Sequence, residues 1–87
     1  MSRVIAITGA SAGIGRATAL RLARERAAIA ICARRADRLE AVAGEIVAAG
    51  GQALPMVADV TRALDMEQFV ARTIERFGRK PVRREQR

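Results

Sequence analysis

The stretch "AITGASAGIGRATAL", residues 6–20, decides how this chain folds. Gly9, Gly13 and Gly15 fall within seven residues. Ahead of them runs a short β-branched strand signal, "RVIAIT" (residues 3–8), and behind them an alanine-rich pattern predicts a helix from about Gly13 to Glu25. A strand that ends in a glycine turn and feeds a helix aims several backbone N–H groups out of the positive end of the helix dipole. Anions settle there. Gly9 allows the tight turn, Gly13 a close approach of backbone to ligand, and Gly15 close packing of the helix on the sheet.

Working outward, the same unit repeats. Residues 27–33, "AAIAICA", form a second apolar run of strand length. Asp37 with Glu40 reads as an N-cap and its capping-box partner. Leu39, Val42, Ala43 and Ile46 then recur at helical spacing until Gly50-Gly51 stop the helix. A third strand is expected at about Ala53 to Ala58. A third helix follows from Ala63 to Phe77, with Met66, Phe69, Val70, Thr73 and Phe77 on one face and Gly78 as its stop. Alternating strands and helices imply an α/β fold: a doubly wound, parallel, Rossmann-type sheet with right-handed crossovers and strand order 3-2-1. Pro55 agrees with that order, because proline has no N–H for a ladder and the third strand is an edge.

The nucleoside triphosphate loop needs G-x4-G-K-[ST], and Gly15-Arg16 does not supply it. The pyrophosphate of a dinucleotide is the better match. The spacing "TGASAGIG", with "ARRADRL" after the second strand, "ADV" closing the third and "FG" ending the third helix, resembles the short-chain dehydrogenase/reductase family over residues 3–78. The resemblance implies that this portion binds NAD or NADP. It places Thr8, Gly9, Ser11, Gly13, Ile14 and Gly15 around the pyrophosphate and its ribose, and Asp59 and Val60 at the adenine.

An NAD-preferring site sets a carboxylate at the end of the second strand, where it holds the ribose 2′-hydroxyl and repels a 2′-phosphate. By the resemblance that position is Ala33, and Arg34 and Arg35 follow it. A guanidinium pairs bidentately with phosphate oxygens, so NADP is expected over NAD. Ala12 stands where the family's other NADP marker, a basic residue, is often found. Arg26 stands where many members have a glycine in the left-handed conformation.

Composition removes most catalytic schemes. The chain has no His, Tyr, Trp or Asn, a single lysine (Lys80), and serine only at positions 2 and 11. A serine-histidine-acid site and a His- or Cys-rich metal site are excluded by count. Family members rely on a tyrosine, a lysine four residues later, a serine and an asparagine, so no catalytic residue carries over and no metal ligand is expected. Cys32 reads as a core residue of the second strand. One cysteine, no secretory signal and no apolar run near ~20 residues point to the cytoplasm and away from a membrane.

The charge of +7 is uneven: residues 1–78 carry a net of +3, and "RKPVRREQR" (79–87) carries +4. This gives a reading of residues 1–78 as a partial dinucleotide-binding domain and 79–87 as a basic, disordered tail that neither packs nor pairs. The family continues at this point into a fourth apolar strand and an Asn-Asn-Ala-Gly turn. The expectation is therefore a truncated product, from a frameshift, a gene-model error or a damaged copy, that leaves the first strand as a bare edge. The family's oligomer contacts are expected to be absent as well. Two alternatives stay open: a nucleotide-binding regulatory module that pairs with another chain, and a small basic protein that binds nucleic acid. The second is disfavoured by the lack of aromatic interleaving.

Overall fold

Strand and helix alternate along the chain as the hydrophobic pattern requires. The computed structural model describes residues 3–9, 13–78, 81 and 83–85. In order they form β1 (Val4–Thr8), α1 (Gly13–Ala23), β2 (Ala28–Ala33), α2 (Ala36–Ala48), β3 (Gln52–Val57), α3 (Ala63–Phe77) and β4 (Arg83–Glu85). All pairings are parallel, and the sheet order is β3-β2-β1-β4. The first three strands thus lie in the order 3-2-1, with Pro55 on the edge strand opposite Ile31.

Register explains the two layers. Ile5 lies beside Ile29 and Ile7 beside Ile31, so four isoleucines share one face. Leu22 of α1 and Leu39, Val42 and Ile46 of α2 bury against them. The other face carries Ala6, Ala30 and Cys32, and α3 lays Phe69 over them, with Leu54, Met56, Met66 and Phe77 half-buried around it. Cys32 is fully buried, as its apolar neighbours in sequence imply.

Two local expectations change. The helix α2 begins at Ala36, with Arg35 as an extended N-cap that makes no side-chain cap bond. Asp37 is therefore not the cap. It lies inside the first turn, where its charge still complements the positive end of the helix. The helix α1 ends at Ala23, two residues early, because the amides of Arg26 and Ala27 bond back to the carbonyls of Ala23 and Leu22. That closure needs a left-handed residue, and Arg26 supplies it at φ 62°.

The largest difference is β4. Residues 83–85 were expected to pair with nothing, yet they run parallel to β1, with Ile5 beside Arg83 and Ile7 beside Glu85. A ladder is built from main-chain groups, so a polar sequence can form one where a buried neighbouring strand needs its N–H and C=O groups matched. β1 is thereby an inner strand, not a bare edge. Residues 79, 80, 82, 86 and 87, for which disorder was expected, lie outside the described residues.

Candidate functional site

The carboxyl ends of β1, β2 and β3 converge, which in an open α/β sheet is where ligands bind. At the end of β1, Thr8 is buried and Gly9 turns the chain at φ 68°. The Gly9 N–H donates to the Cys32 carbonyl at 3.0 Å, tying the turn to β2. The Ala58 N–H donates to the Ala33 carbonyl at 3.0 Å, tying the exit of β3 to the exit of β2. These two bonds bring three chain segments around one cavity of about 390 Å³, lined by Gly9, Ala33, Arg34, Arg35, Ala58 and Val60. Its volume falls in the range of small-molecule sites, about 300–1,000 Å³.

The lining combines the small residues Gly9, Ala33 and Ala58 with Val60 and two exposed arginines. Among the described lining residues there is no carboxylate. Asp59 stands between Ala58 and Val60 and is half-buried. Its Oδ1 accepts two hydrogen bonds from Thr61, from the main-chain N–H at 2.9 Å and from the hydroxyl at 2.6 Å. Its own N–H donates to Oδ2 of Asp65, in the first turn of α3, at 2.8 Å. The Thr61 bonds hold the Asp59 carboxyl below its ordinary range, aided by the nearby charges of Arg34 and Arg62 and opposed by partial burial.

A second device fixes the helices behind the site. Both arms of the Arg16 guanidinium bond to the Glu45 carboxylate, the Nε–Oε1 arm at 2.9 Å, which links α1 to α2. This pairing raises the Arg16 pKa and lowers that of Glu45 from their ordinary values. The fork of Arg16 is thus engaged with a neighbouring helix.

Of the residues picked from sequence, Gly9, Arg34, Arg35 and Val60 line the cavity. Asp59 sits beside it, and Thr8 is buried directly behind Gly9. Gly13, at φ 62°, opens α1, and Ile14 and Gly15 follow in its first turn. Ser11 lies outside the described residues. Sequence reasoning missed Ala58 in the lining and the grip of Thr61 and Asp65 on Asp59. The D-x-T spacing of an Asx-type turn in "DVTRALD" was the available signal for the latter. Among the described residues, no group of acidic, Cys or His side chains could hold a metal ion, and no helix is long and apolar enough to cross a membrane.

Fold and cavity together define the class: the first three strand-helix units of an open parallel sheet, with a nucleotide-sized cavity at its carboxyl ends. Comparison with known proteins gives the family. The short chain dehydrogenase family model matches residues 3–81, and the chain belongs to that family. It is 49% identical over 77 residues to an A-factor type gamma-butyrolactone 1'-reductase (1S-forming) of Streptomyces virginiae, which covers 88% of this chain and 30% of that protein. It is 42% identical to a levodione reductase of Leifsonia aquatica, with 88% of this chain and 30% of that protein covered.

Among solved structures, an alcohol dehydrogenase from the archaeon Thermococcus sibiricus, complexed with 5-hydroxy-NADP, superposes with a TM-score of 0.84 at 43% identity. The match covers 90% of this chain and 34% of that one. An NADH-dependent reductase complexed with NAD superposes at 0.79 and 34% identity, covering 88% and 32%. The chain therefore spans about a third of the length of its relatives and matches the N-terminal part of these oxidoreductases.

Proposed function

We propose that this chain is the cofactor-binding portion of an NADP-dependent short-chain oxidoreductase, and that the cavity takes the adenosine half of the cofactor. The observation that carries this reading is the lining of the cavity, which includes Arg34 and Arg35 and no acidic residue among those described. Two guanidiniums suit a ribose 2′-phosphate, while Ala33 offers no carboxylate to hold a free 2′-hydroxyl or to repel the phosphate. The small side chains of Gly9, Ala33 and Ala58 leave the floor open to a flat base and a ribose. The residues present fit the group.

On this reading Gly9, Gly13 and Gly15, with Thr8, Ser11 and Ile14, hold the pyrophosphate, and Asp59 and Val60 meet the adenine. When bound, the nicotinamide supplies hydride for exchange between a carbonyl and an alcohol. The groups that handle the substrate proton in the family, a tyrosine and its partners, have no counterpart in this sequence. This chain's own contribution is to bind, orient and select the cofactor. A lone, buried Cys32 fits work in the reducing cytoplasm.

Calorimetric titration of the chain with NADP and with NAD, alongside Arg34→Glu, tests the proposal. The wild-type chain should bind NADP more tightly. Arg34→Glu should erase at least about tenfold of that preference, the loss of one charge-assisted pair. An unchanged preference would overturn the NADP assignment, and no binding of either dinucleotide would overturn the cofactor reading itself.

A further inference from the structure

The main-chain groups of β3 are sorted by side. The Gln52 N–H donates to the Ala27 carbonyl at 3.1 Å, and the Ala58 N–H donates to the Ala33 carbonyl at 3.0 Å. In a parallel ladder both main-chain groups of a residue face the same neighbour, and alternate residues face opposite sides. Gln52, Leu54, Met56 and Ala58 therefore face β2, while Ala53, Pro55 and Val57 face away from it. Among the described residues no strand lies on that outer side, because β3 ends the sheet. Pro55 thus lacks its N–H at the one parity where the fold needs none.

We infer that the outer edge of β3 is a self-association surface for a second copy of this chain, and that Pro55 holds it shut. The edge is otherwise competent to pair. β3 is 6 residues long, its sequence "QALPMV" carries no charge, and Val57 is 54% exposed. Charged side chains and very short strands are the other common guards of an edge, and β3 has neither. The partner that fits is a second β3. Laid antiparallel about a twofold axis through residue 55, each Ala53 meets the partner's Val57, and residue 55 meets its own counterpart. In such a ladder each outward-facing pair exchanges both of its main-chain hydrogen bonds. With proline at 55 the central pair has acceptors and no donor, and two pyrrolidine rings meet at the axis.

Sedimentation velocity across a range of concentrations tests this on the 87-residue chain as wild type, Pro55→Val and Pro55→Thr, with folding checked by circular dichroism. Both variants should dimerise with a dissociation constant at least about tenfold below that of the wild type, since the central pair regains its donors. Threonine repeats the test without added apolar surface. Amide exchange followed by NMR locates the contact. The N–H groups of Ala53 and Val57 should gain protection in the dimer, whereas those of Leu54 and Met56, which face β2, should not change. Val57→Pro added to Pro55→Val removes another outward donor and should return association to the wild-type level. Unchanged association in both folded variants, or Ala53 and Val57 already protected in the wild type, would overturn the role of Pro55. Open-ended assemblies in place of dimers would overturn the twofold pairing.

Discussion

The two faces of the sheet are built on opposite plans. Towards α1 and α2 the strands present Ile5, Ile7, Ile29 and Ile31, and both helices answer with large side chains of their own. Towards α3 they present Ala6, Ala30 and Cys32, and Phe69 is the one large side chain fully buried over them, with Leu54, Met56, Met66 and Phe77 half-buried around it. A face of many large side chains shares the loss when one is cut back, because the neighbours relax into the gap. A face of small side chains under a single large one has no such reserve. The difference follows from strand alternation: one parity of β1 and β2 carries Ile5, Ile7, Ile29 and Ile31, while the other carries Ala6, Ala30 and Cys32 at its centre.

Truncating each face in turn puts this contrast at risk. Phe69→Ala should destabilise the chain by about 3–5 kcal/mol, and Ile31→Ala by less, at about 2–4 kcal/mol. Urea unfolding followed by circular dichroism measures both. The reverse order would break the comparison.

The next effect lies at the seam where the α1/α2 layer meets the sheet. A Cβ on Gly51 would come within 3.0 Å of the Ala23 Cα and Cβ and of the Ala27 carbonyl oxygen. Backbone cannot yield there without shifting the end of α1. Gly51→Ala should therefore cost about 1–3 kcal/mol by overpacking, read as a drop in the urea midpoint. A neutral result would mean that this layer is looser than its packing implies.

The smallest effect is a gain. Arg26 closes α1 at φ 62°, a conformation that glycine adopts without strain. Arg26→Gly should stabilise the chain by about 0.5–1 kcal/mol, a rise of a few degrees in Tm for a chain of this size. A fall would show that the exposed Arg26 side chain contributes more than its backbone strain removes.

Much of this was legible without coordinates. The bounds of α3 follow from its 3.6-residue apolar spacing and from Gly78, whose φ of 79° is the left-handed stop expected of it. Three of the five glycine and arginine positions expected at the site, Gly9, Arg34 and Arg35, line one cavity, and the other two, Gly13 and Gly15, lie in the first turn of α1. The start of α2 was misplaced by two residues, the N-cap being Arg35 and not Asp37, because a capping-box spacing does not fix which residue turns helical first, and Ala36 already does. The strand β4 was missed for a plainer reason. "RRE" carries no β signal, and its pairing comes from the main-chain groups of a buried strand almost eighty residues away.

The sequence by itself determined the kind of fold, the parallel order of β1 to β3, the edge position of Pro55 and the family, since periodicity, glycines and spacing act locally along the chain. Only the tertiary structure decided that β1 is flanked on both sides, that Arg16 is tied to Glu45, and that Thr61 and Asp65 clamp Asp59. Each of these is a choice of partner. A residue's type limits what it can bond to, but which eligible partner it meets depends on where the folded backbone brings the two together.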